Sequence, residues 1–297
     1  MAIVLSFVVS FLLFRLTLIL AAPHYDLSIK DRALPGCNIP SSRYVSCNNG
    51  IVTFNTGSCS ISGAVTPAGA MRFTIKYATA QRFKPPQIAA STLYVSQLAL
   101  YPFNSPLRHR NFPNSTSLPP MCPQPWVDAS SYSEDCLYFV AYVPSNATPV
   151  SFSGGAPVLV WIHGGSYSTG SASDPVIDGS KLAEATGSVV VVVQYRLGVL
   201  GYLPPVSLSA NKNLGVQDVM MALKYIQNVI GHVGGDKSNI VLAGQSSGGN
   251  MIRNLLATPS ASGLFSRAII ESDPMVCSSP LTSACLSDDR PGRTMAS

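Results

Sequence analysis

The sequence predicts an α/β fold, a mostly parallel central sheet with helices on both faces. Three observations carry this. From Ser133 onward, short apolar runs alternate with segments of helical spacing. One run, Val189–Val193, is five valines in succession, the pattern of a strand buried on both faces. Another, Ile240 to Ala243, passes through a glycine-rich turn into a helix-compatible segment, Asn250 to Ala257.

Taken in order, the region from Pro23 to about Ser105 sustains no period of 3.6 or 2, although Ile51 to Phe54 and Met71 to Tyr77 fit short strands. Tyr101 to Pro125 is proline-rich and fits a surface loop. Cys136 to Val143 alternates and is rich in β formers, and Pro144-Ser145-Asn146 ends it. Val158 to Ile162 is a compact apolar strand. Ile177 to Ala185 fits a helix with Asp178 as N-cap and Gly187 closing it. After the valine strand (Ser188 to Val193), Val219, Met220, Leu223, Ile226, Val229 and Ile230 place a helix over Val216 to Ile230. Ala268 to Ile270 makes one more strand. Right-handed crossovers constrain how these units stack.

The 297 residues suffice for one large α/β domain or two small ones. Only 11% are charged, against about 25% in ordinary soluble chains. The net charge of +5 is spread thinly, without a basic block, so no nucleic-acid partner is expected. No His/Cys/Asp cluster has ligand spacing, so neither metal nor cofactor is expected. Met1 to Ala22 is nearly all apolar and ends Leu20-Ala21-Ala22-Pro23, which resembles a secretory signal peptide. The alternative is a signal anchor, in which Arg15 would be costly. Seven cysteines and the acceptor triplets at Asn114 and Asn146 agree with a secreted, glycosylated protein without a stable membrane anchor.

The chemistry concentrates at Gly244-Gln245-Ser246-Ser247-Gly248. A serine hydroxyl is a poor nucleophile and must stand clear of the backbone where a base can reach it. A strained strand-to-helix turn does this, and small residues two positions either side let the chains pass closely. Ser246 is therefore the candidate nucleophile. Acyl transfer passes through an oxyanion, which needs backbone N–H donors where its charge develops. The amide of Ser247 is one donor. The glycine-rich turn His163-Gly164-Gly165-Ser166, directly after the strand Val158 to Ile162, offers others.

Together with Ser133-Glu134-Asp135-Cys136-Leu137-Tyr138, Tyr195 to Gly201, Asn213-Leu214-Gly215 with Asp218, and Gly234-Gly235-Asp236, these motifs resemble the type-B carboxylesterase/lipase family, the cholinesterase-like branch of the α/β-hydrolases. The likeness runs from about Tyr77 to Met275 and covers only the N-terminal part of the family's pattern. It implies an α/β-hydrolase fold ending after the strand that follows the serine turn, with the family domain over 23–275; the signal peptide read above takes 1–22, and the tail over 276–297 shows no resemblance. It further implies a serine esterase acting on small-molecule or lipid esters. Ser246 would form the acyl-enzyme, with the amides of Gly165, Ser166 and Ser247 as the oxyanion hole. Cys122 and Cys136 would form a disulfide, and Glu134 and Arg196 a structural ion pair.

The chain also departs from that pattern. Ser166 replaces a glycine, and Gln194 and Val140 stand at positions usually held by asparagine. Gln245 stands where cholinesterases carry glutamate, which argues against a choline-type cationic substrate. In the family the triad follows the order Ser, acid, His, yet His24, His109, His163 and His232 all precede Ser246. His232 precedes the strand that leads to the serine and belongs at the far end of the sheet, while the ring of His163 serves to structure its loop. Glu271 and Asp273 have no imidazole to orient. The expectation is a truncated chain with nucleophile and hole but no base, nearly silent in turnover. A non-catalytic cholinesterase-like binding module and a non-functional fragment are the alternatives.

Overall fold

The structure is a computed structural model that describes residues 45–55, 60–89, 116–147, 154–208 and 212–274. The expected signal peptide, the acceptor Asn114 and the tail over 276–297 lie outside them. Eleven strands are present among these residues: β1 (Val45–Asn48), β2 (Ile51–Asn55), β3 (Ser60–Val65), β4 (Met71–Lys76), β5 (Ala78–Thr79), β6 (Gln87–Ile88), β7 (Tyr138–Val143), β8 (Ala156–Ile162), β9 (Val189–Val193), β10 (Gly235–Gln245) and β11 (Arg267–Glu271). Four α-helices accompany them: α1 (Ser180–Thr186), α2 (Gly198–Tyr202), α3 (Leu214–Val229) and α4 (Ser247–Leu256).

Nine strands form one sheet in the order β1-β2-β3-β4-β7-β9-β8-β10-β11, and β5 pairs with β6 apart from it. The sheet is mixed rather than parallel throughout. β9, β8, β10 and β11 run parallel, as expected. From β1 to β9 every pairing is antiparallel. The difference comes from the N-terminal region whose periodicity the sequence does not display. There β3 reads Ser-Ile-Ser-Gly-Ala-Val, and Gly63 leaves room for the Phe73 ring of β4, which an added Cβ would meet at 2.6 Å. A glycine at such a crossing weakens the strand signature while allowing the close approach.

The valine strand is buried throughout and divides its side chains by parity. Val189, Val191 and Val193 join the core beneath α3 and α4, with Val219, Ile226, Met251 and Leu255. Val190 and Val192 pack with Tyr142 and Ala183 of α1 on the opposite face. The expected helix from Ile177 instead begins at Ser180, with Gly179 at its N-cap. Asp178 still contributes, because its Oδ1 accepts the Ser180 amide at 2.8 Å. Gly179 takes the cap position because a Cβ there would lie 2.6 Å from Val190 Cγ1. Gly187 closes α1 in the left-handed region at φ 67°.

Strand β8 lies between β9, its immediate successor, and β10, reached by a longer crossover. Sequence order therefore reverses direction across β8. In open α/β sheets a crevice forms at such a reversal, beyond the carboxyl ends of the strands. The glycine-rich turn leaves β8 and the serine turn leaves β10 at that end.

Candidate active site

Ser246 links β10 to α4 with φ 56° and ψ −126°, a conformation that non-glycine residues seldom adopt. Its neighbours hold it there. The Ser246 amide donates to Glu271 O of β11 at 2.9 Å, and its carbonyl accepts from the Asn250 amide at 3.0 Å. Two glycines permit the turn. A Cβ on Gly248 would sit 2.1 Å from Ile162 O, and one on Gly244 would sit 2.9 Å from the same oxygen. Thus α4 starts directly against the end of β8. Ser246 is half-buried, and its hydroxyl makes no hydrogen bond among the described residues.

The turn after β8 abuts the serine, since a Cβ on Gly164 would lie 3.3 Å from Ser246 Cβ. Gly165, Ser166 and Tyr167 follow at φ 112°, 54° and 59°. Gly165 O accepts from the amides of Ser168 and Thr169 at 2.9 and 3.0 Å, and from Thr169 Oγ1 at 3.2 Å. Gly164 O accepts from His163 Nδ1 at 2.9 Å. The amides of Gly165, Ser166 and Ser247 donate to no atom among the described residues. Three unengaged backbone donors thus lie on the serine turn and on the turn that abuts it.

His163 is buried, and its ring stacks on Tyr195 at 4.5 Å. Burial pushes its pKa down to about 4, against smaller opposing contributions from Gly164 and Asp174. No hydrogen bond joins it to Ser246. His232 lies in the 3-10 turn Ile230–Val233 that leads into the opposite end of β10. Among the described residues no imidazole engages the serine.

Sequence reasoning missed a polar chain at the mouth of the site. Tyr167 Oη donates to Asn250 Oδ1 at 2.5 Å, and Asn250 Nδ2 donates to Asp273 Oδ1 at 3.0 Å. Arg253 Nε pairs with Asp273 Oδ2 at 2.6 Å. Burial and the Asp273 charge raise the Tyr167 pKa to about 12. A cleft of about 490 Å³ opens one helical turn beyond Ser246, bordered by Tyr167, Tyr202, Val216, Asn250 and Asn254. Only spatial proximity unites these residues, so no sequence motif marks them.

Cys122 and Cys136 are bonded, with Cα atoms 5.1 Å apart. Asn146 is exposed in a turn after β7. The expected Glu134–Arg196 pair is not formed. Glu134 instead pairs with Arg82 across the surface. Arg196 turns inward to Asp218, with Nη2 2.6 Å from Oδ1 and Nε 2.8 Å from Oδ2. The cause is burial: the Arg196 and Asp218 side chains are 5% and 0% exposed, and a buried guanidinium requires a buried counter-charge. Its remaining Nη1 donates to Lys84 O at 2.8 Å.

Comparison with known proteins adds relatives to this geometry. A family model described as the carboxylesterase family matches residues 73–290, running past Met275. Para-nitrobenzyl esterase of Bacillus subtilis is 42% identical over 168 residues, which are 54% of this chain and 33% of that protein. Liver carboxylesterase 1 of Oryctolagus cuniculus is 36% identical over 213 residues, 67% of this chain and 34% of that one. A solved PNB esterase structure superposes with a TM-score of 0.60 at 35% identity, covering 76% of this chain and 44% of its own. The chain thus spans about a third of the length of these curated relatives.

Proposed function

The chain belongs to the carboxylesterase family, and from that premise we propose that Ser246 accepts the acyl group of carboxylic esters. Ser246 Oγ attacks the ester carbonyl, and the carbonyl oxygen takes the electron pair as an oxyanion. Collapse breaks the bond to the alcohol oxygen, which leaves with a proton, and water then hydrolyses the acyl-serine to a carboxylic acid. The observation that carries this reading is the trio of unengaged amides, Gly165, Ser166 and Ser247, beside a serine in a strained turn. Donors already fixed where an oxyanion forms need no reorganisation during reaction.

The adjoining cleft has no charged side chain on its wall, and Gln245 is neutral. Both favour neutral small-molecule or lipid esters over cationic ones. Export through the apolar N-terminus belongs to the same proposal, supported by the Cys122–Cys136 bond, since disulfides persist in oxidising compartments. Glycosylation at Asn114 and Asn146 is part of it, supported at Asn146 by exposure. Among the described residues no helix is long and apolar enough to cross a membrane.

The test is acylation. The hole and binding alone supply about 10³–10⁴-fold rate enhancement. Incubated with p-nitrophenyl acetate, the 297-residue chain is expected to gain an acetyl group on Ser246, found by peptide mass spectrometry. Ser246→Ala removes the adduct. Acetyl groups scattered over lysines, with none at Ser246, would overturn the proposal.

A further inference from the structure

Ser247 contributes more to this site than its amide. The residue is 1% exposed, and its hydroxyl reaches one end of the glycine-rich turn. Ser247 Oγ accepts from the Tyr167 amide at 3.3 Å. At the other end of the turn, Tyr195 Oη donates to His163 O at 2.7 Å. His163 and Tyr167 are the residues that flank Gly164-Gly165-Ser166, the turn that presents two of the three free amides. Each end of the turn is therefore tied by one side-chain hydroxyl, Tyr167 by Ser247 and His163 by Tyr195.

The turn requires holding. Ser166 and Tyr167 both carry positive φ, at 54° and 59°, and such residues persist only where their surroundings over-determine them. In a trans peptide the carbonyl and the following N–H point in opposite directions. Pinning Gly164 O with His163 Nδ1 aims the Gly165 amide away from that contact. Pinning Gly165 O with Ser168 and Thr169 does the same for the Ser166 amide. If Tyr167 were released, the strained pair could relax and turn a carbonyl toward the serine in place of an N–H. We propose that the Ser247 hydroxyl, acting with Tyr195, is the positioning group that keeps the Gly165 and Ser166 amides directed at the Ser246 site. Its consequence for chemistry rests on the acylation proposed above, whereas the tie itself does not.

The experiment measures amide hydrogen exchange by NMR in the full chain, in Ser247→Ala and in Tyr195→Phe, alongside the rate of Ser246 acetylation by p-nitrophenyl acetate. Ser247→Ala retains the backbone donor and deletes only the hydroxyl. Losing one hydrogen bond of ordinary strength corresponds to about tenfold. Tyr167 amide exchange is expected to accelerate by about that factor in Ser247→Ala, with shifted Gly165 and Ser166 resonances and a similarly slower acetylation. Tyr195→Phe, which removes the tie to His163 O at the other end of the turn, is expected to shift the same resonances. Unchanged Tyr167 exchange and unmoved Gly165 and Ser166 resonances in both variants would overturn the inference. So would slower acetylation with Tyr167 protection intact, because Ser247 would then act by another route. If the unaltered chain is never acetylated at Ser246, the esterase proposal fails, and the exchange and resonance data alone decide the tie.

Discussion

Arg196 and Asp218 form a two-pronged ion pair sealed in the core between the segment after β9 and the second turn of α3. The Arg196 backbone amide adds a third bond to Asp218 Oδ2 at 3.1 Å. Asp218→Asn leaves the guanidinium charge in place without its counter-ion. The expected loss of stability is about 3–5 kcal/mol, read as a lower urea midpoint. Equal midpoints for the variant and the parent would contradict the pairing.

Glu134→Gln supplies the contrast. Its partner Arg82 is 63% exposed, and solvent and salt screen such a pair. The Arg82 hydrogen bonds hold the Glu134 carboxyl below its usual pKa, but little stability depends on it. The urea midpoint should stay within experimental error of the parent. A large drop would mean that Glu134 supports Arg196 after all.

The backbone at the nucleophile gives a sharper test. Ser246→Ala retains a Cβ at φ 56°, while Ser246→Gly removes it. Glycine elsewhere lowers stability by about 0.5–1 kcal/mol relative to alanine. Here the order should reverse, because strain of about 1–3 kcal/mol is relieved. Thermal unfolding of the two variants, neither able to accept an acyl group, decides it. A higher Tm for alanine would mean that the turn is not strained.

Gly248→Ala probes the contact between α4 and β8. The new methyl would lie 2.1 Å from Ile162 O and 2.9 Å from His163 O, both backbone atoms with little room to yield. Overpacking of this kind costs about 1–3 kcal/mol. It should also slow Ser246 acetylation by p-nitrophenyl acetate by moving the Ser247 amide away from the glycine turn. Unchanged acetylation would show that the two chains do not meet at Gly248.

What the sequence discloses here is what repeats or concentrates. The valine run, the apolar spacing of α3 and the glycine-serine turn each leave a local pattern, and each forms where its pattern lies. Of the antiparallel strands β1 to β3, only β2 shows one, in the apolar run Ile51 to Phe54; β1 and β3 leave none, because small polar residues such as those of β3 pair through the backbone and pack through partners supplied by β4. The start of α1 shifts because Gly179 answers to Val190, which is distant in sequence. Arg196 is misassigned for the same reason. Motif order places Glu134 and Arg196 in one family pattern, while burial decides which carboxylate the guanidinium meets. The network Tyr167–Asn250–Asp273 joins three elements and is visible only once they are packed.

His163 provides a pH signature of the buried turn. Its ring is neutral in the fold, donating through Nδ1 to Gly164 O, while Nε2 is buried without a partner. Burial lowers its pKa from 6.5 to about 4. The sign follows from proton counting: between those values the unfolded chain binds the proton and the folded chain does not, so stability falls as pH falls. Each pH unit in that window is worth about 1.4 kcal/mol. Between pH 7 and pH 5 the loss from this group amounts to roughly 2 kcal/mol. His232, whose pKa burial also lowers, adds to the same slope and is shared by any His163 variant. The comparison is therefore between the parent and His163→Gln, whose amide can still donate a hydrogen bond but does not titrate. Urea midpoints at pH 7 and pH 5 should fall further in the parent than in the variant, the gap closing above pH 7. Parallel profiles would mean that the His163 ring takes up a proton as readily in the fold as in water, and that the glycine turn is open to solvent.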